Sequence, residues 1–442
     1  MLECLNGKYF CAKEGKLLSL HNKTNMLIRG MENDEIFKIE GSVLIELIDE
    51  DIEHVKIPDG LTGIGEAAFL SCTSIKSVDI PNSVTKIGEY AFNRCTSLEK
   101  IDIPNSVTEI DFWTFRDCYS LKRINIPNNI TMIGDGVFEQ CTSLERIEIP
   151  ENVVEILNGA FRGCTKLASI IVENRNRKYD SRNNCNAIIE TGTNTLIVGC
   201  KNTIIPNSVN RIGYCAFEGC DSLEGIDIPD SVVEIGSCAF YGCASLRSIS
   251  IPNSITEIAD RLFKMCSSLK YINIPNCVTK IEESAFFDCS SLERVDIPDG
   301  VVKIGSDAFY GCTSLRSISI PNSITEIADS LFEMCSSLKY INIPNCVTKI
   351  GEYAFWGCSS LERVDIPNSI GLAIKECAFD CKIAEIHCYG INNIASMDIH
   401  PDAFSENLFE STILYVPSGV EKEYQQHPVW GRFKNIMTEK FD

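Results

Sequence analysis

Cysteine is the residue with the most chemical potential in this chain, because a thiol can form disulfides, bind metals or act as a nucleophile. The 442 residues include 23 cysteines. Thirteen of them recur at one position of a repeat, spaced by 23 residues: Cys72, Cys95, Cys118, Cys141 and Cys164, then Cys220, Cys243, Cys266, Cys289, Cys312, Cys335, Cys358 and Cys381. Neighbouring copies of a repeat point equivalent side chains in parallel, and cysteine also packs as a small apolar residue. This spacing therefore predicts reduced, structural thiols in preference to disulfides or metal ligands.

The other candidates for chemistry do not form a recognisable catalytic site. One group near the end of the repeats could suggest zinc, but it lacks the paired C-x-x-C spacing: Cys377, Cys381, Cys388 and His387. Cys215 and Cys238 occupy the same position in neighbouring repeats, and we interpret them as packing contacts. The five histidines are scattered, and the common hydrolase, phosphate-loop, dinucleotide and zinc-protease motifs do not occur. The sequence predicts no enzyme activity, no metal and no cofactor.

Proline and phenylalanine follow the same period and indicate the elements of each repeat. The unit reads I-P-N-S-V-T-x-I-G-x-x-A-F-x-x-C-x-S-L-x-x-I-x. The alternation before proline predicts a short strand, which proline ends because it has no N–H. A second inward segment follows, and we expect the Ala-Phe pair to lie in a helical or 3₁₀ turn. Stacked coils would share one core, with this phenylalanine ladder: Phe69, Phe92, Phe115, Phe138, Phe161, Phe217, Phe240, Phe263, Phe286, Phe309, Phe332, Phe355 and Phe379.

The repeat is interrupted once, and the interruption divides the chain. Two apolar stretches around Gly192 and Thr193 predict a β-hairpin. If residue 187 faces 198 and residue 189 faces 196, Cys185 lies opposite Cys200, so these two form the candidate disulfide. Farther on, residues 245–298 match 314–367 at 48 of 54 positions, as expected of a tandem duplication. The predicted segments are an N-terminal cap (1–56), repeats (57–172), a hairpin insert (173–205), repeats (206–389) and a C-terminal cap (390–442).

Charge and hydropathy limit the classes of partner. The chain has 61 acidic and 40 basic side chains and a net charge of −21. Phosphate backbones would be repelled, so a nucleic-acid partner is not expected. No apolar run reaches the length of a membrane span, and the first twenty residues lack the pattern of a secretory signal. We expect a monomer.

The unit I-P-x-x-V-x-x-I-G-x-x-A-F-x-x-C-x-S-L-x-x-I closely resembles the BspA-like, or treponemal-class, leucine-rich repeat family over about residues 57–389. The segment 412–436 is similar to the closing segment of that family. The resemblance implies an α/β repeat solenoid, a right-handed superhelix of short parallel strands with one hairpin insert and terminal caps. It also implies a non-enzymatic, adhesin-like protein that binds a protein ligand, such as a host protein, at the cell surface. The alternative is a cytoplasmic protein-interaction scaffold, which the absent leader and the many free thiols favour.

The outward rows of the strands hold the candidate binding residues. Residues two and four positions before each proline face away from the core on the same side. One row is mostly acidic or amide, and the other mixes arginine with tyrosine, the usual anchors of protein interfaces. The alternative is a solvated face whose rows pair as weak salt bridges. If the rows do bind a partner, replacing Tyr340 and Arg363 by alanine should weaken binding at a nearly unchanged melting temperature. The candidate strip is Arg123, Arg146, Tyr271, Arg294, Tyr340, Arg363, Asp296 and Asp365.

Overall fold

Each coil of the protein follows from the order of apolar and turn residues in the repeat. The computed structural model describes residues 36–367, 369, 371–389, 394 and 397–439. A typical coil has a first strand, a proline turn, a two-residue second strand and a run of turns that carries the phenylalanine and the cysteine. In Arg146–Ile149, exposed and buried residues alternate, as a half-buried strand requires. The predicted strands are confirmed, whereas the Ala-Phe segments form successive turns and no helix among the described coils.

The first strands stack in parallel and build one long face. Those before the insert form a six-stranded sheet: His54–Lys56, Ser77–Asp79, Lys100–Asp102, Arg123–Ile124, Arg146–Ile149 and Ser169–Val172. Those after it form two five-stranded sheets. The first contains Gly225–Asp227, Ser248–Ser250, Tyr271–Asn273, Arg294–Asp296 and Ser317–Ile318, and the second contains Tyr340–Asn342, Arg363–Ile366, Glu385–Cys388, Ile413–Pro417 and Asn435–Glu439.

The second strands form a further stack on another side of the coils. Before the insert they are Gly63–Ile64, Lys86–Ile87, Glu109–Ile110, Met132–Ile133 and Glu155–Ile156. After it they are Arg211–Ile212, Glu234–Ile235, Glu257–Ile258, Lys280–Ile281, Lys303–Ile304, Glu326–Ile327, Lys349–Ile350, Ala373–Ile374 and Asp398–Ile399. Each pairs in parallel with a neighbouring coil over one short ladder, for example Lys280 beside Lys303.

Two hairpins join this second stack. At the start of the described chain, Phe37–Glu40 pairs antiparallel with Val43–Leu47, which continues in parallel to Gly63–Ile64. In the insert, Ile188–Glu190 pairs antiparallel with Thr195–Val198, as predicted, and Tyr179–Asp180 adds a third strand that the sequence analysis missed. A 3₁₀ turn at Arg182–Asn184 connects them. The insert therefore extends the second-strand sheet of the following repeat block, in which Thr195–Val198 pairs in parallel with Arg211–Ile212.

The core is a column of stacked phenylalanine rings, in two runs that the insert separates. The first run extends from Phe69 to Phe161 and the second from Phe217 to Phe404, one residue beyond the predicted ladder. Neighbouring centroids lie 4.8 Å apart at Phe69–Phe92 and 5.9 Å apart at Phe115–Phe138. The buried apolar residues form two clusters that meet at the insert. The insert is thus also the boundary between two cores.

The C-terminal end closes the second core with aromatic side chains. The described part has two short α-helices, Glu406–Ser411 and Glu421–Gln426, and a 3₁₀ turn at Trp430–Arg432. Tyr424 and Trp430 are fully buried against the last coils. Parts of both predicted caps, residues 1–35, 390–393, 395–396 and 440–442, lie outside the described residues.

Candidate functional site

The outward residues of the first strands lie in rows, because parallel pairing brings equivalent positions side by side. Arg123 pairs with Arg146 in one sheet. After the insert, Tyr271 is adjacent to Arg294, and Tyr340 is adjacent to Arg363. The eight predicted strip residues therefore share one strand face, but the insert separates the first two from the other six.

Most cations of these rows are already paired within their own strand. The amine of Lys100 lies 2.6 Å from the carboxylate of Asp102, and Nε of Arg294 lies 2.9 Å from Oδ1 of Asp296. Arg146 pairs in the same way with the next acidic residue of its strand. These groups are largely exposed, so each pair contributes little to stability. The interpretation of the rows as surface salt bridges fits these positions.

Arg123 is the exception in the first block. The residue two positions on is Asn125, whose amide group instead bonds the backbone N–H and carbonyl of Ile103 at 3.1 and 2.8 Å. Within the described residues, the guanidinium of Arg123 has no ion pair and no side-chain hydrogen bond. It lies in a depression of about 1070 Å³ that Lys100 and Arg146 also line. Arg123 is therefore a cation available for an incoming group.

Tyr340 and Arg363 are engaged in hydrogen bonds within the protein and are not free to bind a partner. The hydroxyl of Tyr340 donates to Oδ2 of Asp365 at 2.7 Å, and Nε of Arg363 donates to Oδ1 at 2.8 Å. Arg363 also donates to the hydroxyl of Tyr389 at 3.2 Å. Burial and the neighbouring Asp365 carboxylate raise the pKa of Tyr340 to about 12.

The prediction that Asp365 faces solvent is wrong, because this residue is only 5% exposed. The next strand, Glu385–Cys388, places His387 beside it, and Tyr340 and Arg363 hydrogen-bond its two carboxylate oxygens. Replacing Tyr340 and Arg363 together would leave that carboxylate buried without its two donors. We therefore no longer expect an unchanged melting temperature for that double variant.

Tyr271, the equivalent of Tyr340 in the duplicated segment, is exposed to solvent. Its neighbour Asp296 is exposed, and Tyr271 has no side-chain hydrogen bond among the described residues. It lines a depression of about 770 Å³ together with Ile204 and Asp227. Ile204 is 73% exposed, and the sequence analysis missed it although it lies two positions before Pro206. An exposed tyrosine and isoleucine on one depression are an apolar contact surface.

The register proposed for the candidate disulfide is wrong. Ile189 faces Leu196 as expected, but Ile188, and not Ala187, faces Val198, because a β-bulge shifts the register between residues 188 and 189. Cys185 and Cys200 are both free and buried. The Cys185 thiol points to the carbonyl of Ala187 at 3.8 Å, and the Cys200 thiol donates to the carbonyl of Asn186 at 3.2 Å. The two thiols thus have separate partners, and their oxidation stays a prediction.

The repeated cysteines have a definite structural role. Ten of them donate their S–H to the carbonyl of the phenylalanine 26 residues earlier, as Cys266 does to Phe240 at 3.1 Å. All thirteen are free. Burial raises the thiol pKa along this ladder, to about 12 at Cys335. Since the thiolate is the reactive form, the ladder joins neighbouring coils and is chemically inert.

The described residues contain neither a cluster of potential metal ligands nor a membrane-spanning helix. No group of three or more His, Cys, Asp or Glu side chains in that part is arranged to hold a metal ion. Among the described segments, no helix has the length and apolarity needed to cross a bilayer. The interrupted strand face, with Arg123 and Tyr271 in its two depressions, is therefore the candidate site.

Comparison with known proteins agrees with this architecture. The model of the BspA type leucine rich repeat region matches in six copies, over residues 48–180, 197–301 and 279–410. A leucine-rich repeat protein from Eubacterium ventriosum is similar at 27% identity, over 72% of this chain and 88% of that one, with a TM-score of 0.62. One from Bacteroides ovatus is similar at 33% identity, over 74% and 89%, with a TM-score of 0.45. Among curated proteins, no significant match is found. Because the family model covers most of its length, the chain belongs to the BspA-type leucine-rich repeat family.

Proposed function

We propose that the protein is a non-enzymatic, adhesin-like binding protein whose first-strand face recognises another protein, with Arg123 and Tyr271 as its anchors. The observation that carries this proposal is the contrast within the rows. Arg123 and Tyr271 are exposed in depressions and have no partner in the described chain, whereas their counterparts are paired. Arginine and tyrosine are the residues that most often dominate protein-interface energetics.

The form of the face also supports a protein ligand. Its side chains project from short parallel strands that pair with neighbouring strands on both sides. The backbone is therefore already ordered, and binding a partner costs little conformational entropy. The two depressions lie on either side of the insert and hold different chemistry, a cation in one and apolar groups in the other. A flat or ridged partner surface can contact such separated anchors.

The test is site-specific photo-crosslinking on the producing organism in contact with host cells. A crosslinking amino acid at position 123 or 271 should capture the same partner, and one at Glu66, on the loop side, should not. The purified partner should then bind the Arg123→Ala and Tyr271→Ala variants at least about tenfold more weakly, as for interface hot spots. Equal affinity of wild type and both variants would overturn the assignment of this face.

The compartment needs a separate test. Protease treatment of intact producing cells should remove the protein while a cytosolic control survives, if the protein acts as a surface adhesin. Digestion only after lysis would contradict surface exposure and favour the intracellular scaffold. The crosslinking result for positions 123 and 271 stays interpretable in either compartment, because it reports the face and not the location.

A further inference from the structure

One pair of thiols differs from the inert ladder. Cys215 and Cys238 occupy the same turn position in adjacent coils, and the backbone N–H of Cys215 donates to the carbonyl of Ser237 at 3.1 Å. Side chains at this position meet across coils, since the Tyr90 and Trp113 rings, one block earlier, stack at 5.3 Å. The thiols of Cys215 and Cys238 form the corresponding pair, and they are close enough to shift each other's pKa.

One member of this pair, Cys215, also lies at an opening in the molecule. Cys215 lines a cavity of about 190 Å³ between the two repeat blocks, together with Arg162 and Glu218. Arg162 Nε lies 2.8 Å from Oε1 of Glu218, while Oε2 of Glu218 is buried and has no hydrogen-bond partner. The Glu218 side chain is only 9% exposed. The cavity therefore offers a small polar molecule a route to the sulfur and an unused hydrogen-bond acceptor beside it.

The two thiols are coupled electrostatically. The interaction with the Cys215 thiol lowers the pKa of Cys238. The same interaction, together with burial, raises the pKa of Cys215. A thiol with a lowered pKa provides the nucleophilic thiolate, and a neighbouring thiol can then resolve its oxidised form.

We propose that Cys215 and Cys238 are an oxidisable dithiol that hydrogen peroxide converts to a disulfide between adjacent coils. The Cys238 thiolate attacks one oxygen of the peroxide, the O–O bond breaks, and the leaving hydroxide takes up a proton to become water. The sulfur of Cys215 then attacks the Cys238 sulfenic acid, the S–S bond forms, and the sulfenic oxygen leaves as water with the Cys215 proton. The two thiols lose two electrons and one peroxide becomes two waters. Stacked strands are about 5 Å apart, within the Cα separation of disulfides.

The experiment uses the reduced full-length protein with one equivalent of hydrogen peroxide, followed by alkylation of free thiols before unfolding. Trypsin leaves both cysteines in one peptide, because no Lys or Arg lies between Arg211 and Arg247. Cleavage after glutamate and after aromatic residues separates Cys215 from Cys238, and Cys238 from Cys243. Non-reducing mass spectrometry should then find a 215–238 link in the wild type.

Three variants keep the result decisive. Cys215→Ser should accumulate a Cys238 sulfenic acid that dimedone traps, and Cys238→Ser should give neither link nor adduct. Cys277→Ser, a matched control at another partly exposed thiol, should leave the link unchanged. Peroxide-treated protein with Cys215 and Cys238 both free, or a preferred link to a ladder thiol, would overturn the proposal.

Discussion

The tandem duplication provides a matched test of the Tyr340 network. Tyr340→Phe removes the hydroxyl that donates to Oδ2 of Asp365 at 2.7 Å, and Tyr271→Phe makes the same change where the equivalent carboxylate is exposed. Hydrogen bonds to charged groups contribute about 1.5–3 kcal/mol. The Tyr340 ring is 44% exposed, so water compensates in part, and we expect a loss of about 1–2 kcal/mol. Tyr271→Phe should stay within about 0.5 kcal/mol.

Hydrogen exchange resolved by peptide is the suitable assay, because a repeat array does not unfold as one two-state unit. A loss of 1–2 kcal/mol corresponds to about 5- to 30-fold faster exchange, which we expect in Arg363–Ile366 of Tyr340→Phe. The equivalent strand Arg294–Asp296 of Tyr271→Phe should keep the wild-type rate. Equal effects of the two substitutions would refute the reasoning, because it attributes the difference to the buried Asp365 alone.

Three further outcomes test the core and the thiols. Phe286→Ala should cost about 3–5 kcal/mol, measured by peptide-resolved hydrogen exchange in the neighbouring coils, because the ring is fully buried in the middle of a stack. A loss below about 1 kcal/mol would contradict a continuous core. In the native protein, Ellman's reagent should label Cys277 and spare Cys289, which is fully buried with a raised thiol pKa, and equal labelling would refute the inert ladder. Gly219→Ala should lower the melting temperature by several degrees more than Gly242→Ala. A Cβ at position 219 would lie 2.8 Å from the backbone of Gly163, whereas one at position 242 would lie 3.7 Å from the nearest backbone atom. Equal shifts would argue against a tight junction between the blocks.

The repeat itself was predictable from sequence, because its physical causes are local and recur in every coil. Proline after an alternating stretch predicts where a strand ends, and the position of Phe240 or Cys266 in one coil fixes its neighbours in the next. The insert was harder. Its hairpin was predicted, but its register depended on a bulge between Ile188 and Ile189 that composition does not indicate.

Whether each strip residue is paired, free or buried was not predictable from its position in the rows. Arg123, Arg294 and Arg363 occupy equivalent positions and differ only in what stands beside them. Asp365 is buried where Tyr340 of the preceding coil and His387 of the following one flank it, which is a tertiary effect. The thiol pair at Cys215 and Cys238 was noticed from spacing, but the position of Cys215 on a cavity between two cores required the fold.

The direction of the bonds between coils determines how the molecule would respond to force. Backbone bonds such as Thr108 N–H to the Thr85 carbonyl, 2.9 Å, run along the stacking axis, as do the thiol bonds of the cysteine ladder. Tension applied to the two ends along this axis loads the coils in series, so they should peel away one at a time. Each released coil of 23 residues would lengthen the chain from about 5 Å to about 75–80 Å. Stretched in this way, the protein would behave as an extensible tether that lengthens in small steps, and a bond between Cys215 and Cys238 would prevent one of those steps.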